Sequence, residues 1–227
     1  MATKLYVALD FSSEGAALAL FEKLKNLPVG FKVGLELFTV AGPAVVDRLV
    51  GKGADIFLDL KFHDIPNTVA GAVGAVAKFG VDFANIHIVG GEDMVRQAVE
   101  AKKGSKLRLL GVTALTSLDQ EALRSVGIDQ DPRNWVVDLA KKGKDWGLDG
   151  VVCSPREISS VQQACGTNFI TMVPGVRPDG ASTGDQKRVA TPLEAKAAGA
   201  HYIVVGRPIT QASNPAAVAE KILAEIS

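Results

Sequence analysis

Short apolar runs rich in β-branched residues alternate along this chain with longer, alanine-rich stretches whose apolar positions recur with helical period. The runs Leu5 to Leu9, Gly30 to Leu35, Ile56 to Leu60, Phe83 to Ile88, Leu107 to Thr113, Gly150 to Cys153, Phe169 to Val173 and Tyr202 to Val205 predict eight strands. Between them, Val69, Ala72, Val73 and Val76 fall at i, i+3, i+4 and i+7 after Pro66-Asn67, and Gly80 stands where a glycine would end that helix. Pro43 after Gly42 opens another helix. Pro215 after Asn214 opens the last, which turns Val218, Ile222 and Leu223 toward the core.

Eight strands, each followed by a helix, predict an α/β fold: one (β/α)8 TIM barrel filling residues 1–227. The rival, a doubly wound open sheet, would show fewer strands and a glycine-rich fingerprint after the first. Asp10-Phe11-Ser12-Ser13-Glu14 is nothing of that kind. Two connections are too long for plain βα loops. Thr116 to Asn134 holds an extra helix at Gln120 to Ser125, and Pro174 to Ala190 is rich in Gly, Ser, Asp and Pro. Loops of that length in a compact domain are usually lids or insertions.

Composition narrows the classes. The chain carries 25 basic and 25 acidic side chains, so no global field draws it to nucleic acid or an anionic membrane. Any anion must be held by local charge. No run of about 18 apolar residues occurs, which argues against a membrane-spanning helix. Met1 to Lys4 lead at once into the first strand, leaving no room for a signal peptide. Cys153 and Cys165 form neither a disulfide scaffold nor a metal cluster by themselves, and a reduced cytoplasmic setting is the simpler reading.

In such a barrel, chemistry gathers at the C-terminal ends of the strands. The third strand ends in Asp59-Leu60-Lys61-Phe62-His63-Asp64, and i, i+2 spacing points Asp59 and Lys61 the same way. Taken alone, that pair is an ordinary structural ion pair, and Asp64 a helix cap. Two more residues change the weighing. Asp10 ends the first strand, and Lys32 lies inside the second between Phe31 and Val33, where an ammonium is costly unless paired. A closed barrel has no edge, so an inward lysine needs acidic neighbours, which Asp10 and Asp59 on the flanking strands supply. Lys32, Asp59, Lys61 and Asp64 then form an alternating charge array.

A second constellation suits an anion. Pro174-Gly175-Val176-Arg177 follows the seventh strand and Gly206-Arg207-Pro208-Ile209 the eighth, the loops that commonly hold phosphate in these barrels. Glycine admits an oxyanion close to the backbone, and arginine offers forked donors. Metal chemistry looks poor: His63, His87 and His201 fall in separate regions without ligand spacing, and Cys153 reads as core.

The string Asp59-Leu60-Lys61-Phe62-His63-Asp64-Ile65-Pro66-Asn67-Thr68-Val69 closely resembles the signature of the orotidine 5′-phosphate decarboxylase family. Ala8-Leu9-Asp10, Lys32-Val33-Gly34, Leu115-Thr116-Ser117, Pro174-Gly175-Val176-Arg177, Asp185-Gln186 and Val205-Gly206-Arg207 follow in the family's order. The resemblance implies decarboxylation of orotidine 5′-phosphate to UMP without metal or organic cofactor. It implies that Lys61 protonates C6, that Asp59 sits beside the scissile carboxylate, and that Lys32 and Asp64 complete the array. Asp10 would bind ribose, Thr116 and Ser117 the pyrimidine, and Gln186, Arg207 and the Gly206 amide the phosphate. Pro174 and Arg177 would share that pocket. It further implies a homodimer in which Asp64 and Thr68 come from the partner subunit.

Two other functions fit the same barrel. A sugar-phosphate decarboxylase or aldolase would need a divalent metal to stabilise an enediolate. A non-catalytic nucleotide-binding barrel would lose no turnover with Lys61.

Overall fold

The structure is a computed structural model that describes residues 2–179 and 190–227. Eight parallel strands close into a barrel in chain order: β1 (Lys4–Ala8), β2 (Val29–Gly34), β3 (Ile56–Phe62), β4 (Phe83–His87), β5 (Arg108–Val112), β6 (Gly150–Val152), β7 (Ile170–Val173) and β8 (Tyr202–Val205). The seam is β8 against β1, with Tyr202 opposite Lys4 and Val205 opposite Val7. All eight sequence-predicted strands are present. Most ends shift by one or two residues, as at Leu9, which lies past β1 yet donates its N–H to the Lys32 carbonyl at 2.9 Å. Leu35 is not strand but the first residue of a helix, Leu35–Ala41.

Helices link the strands and end where local chemistry dictates. Pro66–Val76 begins on its proline and passes into a 3-10 turn, Ala77–Phe79, before Gly80 closes it at φ +70°. That left-handed geometry costs glycine little and other residues more. The Asp119 carboxylate caps the predicted helix Gln120–Ser125 by accepting from the Ala122 N–H at 3.0 Å. Asn214 caps Pro215–Ile226 through the Ala217 N–H. Among the described residues no helix is long and apolar enough to cross a membrane. Cys153 and Cys165 are buried, and neither is in a disulfide among the described residues.

Strand alternation divides the apolar residues into two bodies. Leu5, Val7, Phe31, Val33, Ile56, Leu58, Ile86, Leu109, Val151, Val173, Ile203 and Val205 face outward and join the helices in one continuous core. Tyr6, Ala8, Phe57, Phe83, Leu110, Met172 and Val204 face inward and fill the barrel. At its N-terminal end Arg108 lies 3.9 Å from the Phe83 ring centroid and donates to the Tyr202 hydroxyl at 2.9 Å, so the cation is partnered on both sides. A fully buried Phe such as Phe83 contributes about 3–5 kcal/mol relative to alanine. The lumen is therefore a packed plug below and can open only above, at the C-terminal ends of the strands.

Candidate active site

Above the plug the inward positions change from apolar to charged. Continuing the alternation, β2 places Lys32 inward, β3 Asp59, and β4 Asn85. Lys32 Nζ lies 2.8 Å from Asp10 Oδ1 and 3.4 Å from Asp59 Oδ2, while Lys61 Nζ lies 2.6 Å from Asp59 Oδ1. One partly buried carboxylate thus has an ammonium on each oxygen. Burial would pull the Lys32 ammonium down, but Asp59 and Asp10 outweigh it and hold it above the ordinary lysine value. Burial likewise pushes Asp59 up, and Lys32 and Lys61, with hydrogen bonds from Lys61 and Asn85, bring it below the ordinary carboxylate value. Both groups therefore stay charged through neutral pH.

The array is built on irregular backbone. Leu58 pairs with Ala84 and Phe62 with Ile86, so four steps along β3 oppose two along β4. Lys61 sits in that bulge at φ +52°, the one non-glycine residue with positive φ among the described residues. Such a conformation costs about 1–3 kcal/mol and persists only where neighbouring contacts fix it. The simple i, i+2 rule thus placed Asp59 and Lys61 together, although the strand between them is not regular.

Asn85 carries no motif, and the sequence reading passed over it. It is fully buried, its Nδ2 donates to Asp59 Oδ1 at 2.7 Å, and its Oδ1 accepts from the Lys61 N–H at 2.8 Å. A signal was available: an amide at the same inward parity as Phe83, inside an apolar strand, must find partners. Gly34 has a comparable logic. A Cβ there would lie 2.8 Å from Lys32 Nζ and 3.0 Å from Asp10 Oδ1, so glycine keeps room for the ion pair.

An open cavity of about 680 Å³ covers this array. Its lining brings together Asp10, Lys32, Asp59 and Lys61 with Thr116 and Ser117 after β5, Pro174 and Arg177 after β7, and Gly206 and Arg207 after β8. Gly175 turns at φ +79°, and Arg177, whose Nη1 donates to the Val176 carbonyl, pairs its N–H with the Ala190 carbonyl. A cavity with fixed cations on β2 and β3 and arginines after β7 and β8 can hold an anion of two charged ends.

Not every expected residue is there. Asp64 and Thr68 are exposed and line no part of the cavity, so the four-membered array expected from the sequence holds three of its residues here. The Asp64 carboxylate accepts from the Ile65 N–H instead. The bulge at Lys61 and the helix start at Pro66 carry the chain away from the mouth. Gln186, with Asp185, lies outside the described residues. His63 and His87 do not fall in separate regions as expected but lie side by side, ring centroids 5.3 Å apart and planes tilted by 34°. His201 is apart from them, held between Thr171 and the Thr167 carbonyl. Among the described residues no group of three or more His, Cys, Asp or Glu side chains is placed to hold a metal ion.

The chain as a whole is similar to known proteins. The family model described as orotidine 5′-phosphate decarboxylase / HUMPS family matches residues 3–222. An orotidine 5′-phosphate decarboxylase of Moorella thermoacetica is 48% identical, covering 98% of this chain and 92% of that protein. Another from Alcanivorax borkumensis is 46% identical over 100% of this chain and 99% of its own. Among solved structures, the Lactobacillus acidophilus orotidine 5′-phosphate decarboxylase superposes with a TM-score of 0.88 at 39% identity, covering 99% of both chains. An uncharacterized conserved protein from Geobacillus kaustophilus superposes at 0.86 with 34% identity, covering 98% of this chain and 100% of that one. With the family model and the relatives matching nearly the whole chain, and the barrel superposing on a solved relative, this chain belongs to the orotidine 5′-phosphate decarboxylase / HUMPS family.

Proposed function

We propose that the chain converts orotidine 5′-phosphate to UMP and carbon dioxide, the last step of de novo pyrimidine nucleotide synthesis, using the Lys/Asp array and no cofactor. The observation that carries this reading is the Lys32–Asp59–Lys61 triplet facing a cavity whose far side holds Arg177, Gly206 and Arg207. The bond from C6 to the carboxylate carbon breaks and its electron pair stays on C6. The ring offers no conventional electron sink, so stabilisation must come from preorganised charge. Lys61 Nζ is the ammonium closest to the mouth: it stabilises the developing carbanion and then gives it a proton, forming the C6–H bond of UMP. Water later restores the ammonium.

The remaining groups hold either end of the substrate. Asp59 stands beside the departing carboxylate and keeps Lys61 oriented, while Lys32 fixes Asp59. Asp10 takes the ribose, Thr116 and Ser117 the pyrimidine, and Arg207, the Gly206 amide and Gln186 the phosphate, with Pro174 and Arg177 in the same pocket. Phosphate held far from C6 supplies binding energy that can be used at the reacting carbon. Asp64 and Thr68 complete the site from the second subunit of a homodimer. Leu35, Val40 and Ile65, each more than half accessible, are apolar side chains such an interface could cover. The enzyme works in the cytoplasm.

The direct test follows the ultraviolet absorbance of orotidine 5′-phosphate in excess chelator. Full turnover is expected. Activity that disappears with the chelator, or that occurs only on sugar phosphates, overturns the reading. A variant probes the array from its crowded side. Gly34→Ala leaves the backbone unstrained, because its φ is −100°, but pushes a methyl between Lys32 and Asp10. Turnover is expected to fall about 10- to 100-fold, the cost of a small displacement in an oriented site. Thermal melting should change little, and kcat and melting temperature measured on one preparation check both.

A further inference from the structure

Asn85 occupies a place that neither the charge array nor the cavity lining accounts for. Between Leu58 and Phe62 the β3–β4 ladder is interrupted, so the Lys61 N–H has no regular strand partner. The Asn85 carboxamide supplies one: its oxygen accepts that N–H at 2.8 Å while its nitrogen donates to Asp59 Oδ1 at 2.7 Å. One rigid planar group thus holds the backbone of one array residue and the side chain of the other. Its Asp59 contact falls on the oxygen that Lys61 Nζ also meets at 2.6 Å, leaving Oδ2 toward Lys32. Side-chain rotation of Asn85 is blocked by complete burial.

We infer that Asn85 is a positioning residue for the decarboxylation: it fixes Lys61 in its left-handed conformation and sets the orientation of the Asp59 carboxylate. The inference rests on the function proposed above. A pure packing role would be filled by any side chain of the same shape, since the neighbours of Asn85 are otherwise strand residues. A positioning role needs both the donor and the acceptor. The acceptor holds φ at Lys61, and the donor pins Asp59 Oδ1 beside Lys61 Nζ and so keeps Oδ2 toward Lys32.

Two variants separate these roles. Asn85→Leu keeps the shape and removes both bonds; kcat is expected to fall about 100-fold, with KM within about threefold because substrate ends are held elsewhere. Asn85→Asp keeps the acceptor but sets a carboxylate against Asp59. Its kcat should recover at least about tenfold between high and low pH, as the new acid is protonated and regains a donor, whereas the parent shows no such rise. Hydrogen exchange of the Lys61 amide is measured alongside and needs no turnover: protection is expected to drop in Asn85→Leu and to persist in Asn85→Asp. Parental kcat in a folded Asn85→Leu, unchanged Lys61 protection, or a pH-independent Asn85→Asp would overturn the inference. Lost Lys61 protection in a chain whose parent does not decarboxylate orotidine 5′-phosphate would instead reject the function while leaving the strut in place.

Discussion

Lys61→Ala is expected to bind UMP within about threefold of the parent while decarboxylation falls by about 10⁴-fold or more, because one side chain does two things at the reacting carbon. A positioned proton donor contributes about 10²–10⁴-fold, and a preorganised charge beside a developing anion about 10²–10³-fold. Both are removed with the ammonium. Binding is expected to persist because UMP lacks the carboxylate proposed to meet the array, and in the proposed site its phosphate and ribose rest on groups after β1, β7 and β8. The fold should survive, since Asp59 keeps Lys32 at 3.4 Å and Asn85 at 2.7 Å. Calorimetric titration with UMP and single-turnover decay of substrate absorbance give the two numbers. A loss of less than tenfold would remove Lys61 from the chemistry, and equal losses in binding and turnover would reduce it to a structural cation.

Much of this site could be read in the sequence because barrel geometry converts strand parity into position. Lys32 between Phe31 and Val33 had to face inward, and an inward ammonium demanded carboxylates from the flanking strands; Asp10 and Asp59 stand there. The helix at Pro66–Val76 was equally legible from its proline, its apolar period and Gly80. What parity could not give was the bulge at Lys61. No residue type announces it, since lysine is an unusual choice for φ +52°. The inward parity of Asn85 was legible, but its partner at the Lys61 N–H was not, because that group is left over only where the ladder breaks. The His63–His87 ring pair escaped as well, for it joins residues on and after different strands that sequence spacing does not bring together. Residues whose roles come from one strand's alternation were readable, and those whose roles come from an irregularity were not.

A mixture of two inactive variants is expected to regain about a quarter of parental activity, because the proposed site takes residues from both subunits of a symmetric dimer. Lys61→Ala lacks the proton donor, and Asp64→Ala lacks the charge offered across the interface. In a hybrid dimer, one site draws Lys61 from the second chain and Asp64 from the first and is complete; the other lacks both. Random assortment at equal amounts makes about half the dimers hybrid, each with one good site of two. The position of Asp64 motivates the experiment: it is exposed, lies outside the cavity, and precedes the exposed apolar side chain of Ile65. Activity is measured after the two variants are unfolded and refolded together, with each refolded alone as reference. If Asp64 instead acted within its own chain, every chain in the mixture would carry a broken site. The mixture would then show only the average of the separate variants, and the shared-site dimer would be rejected.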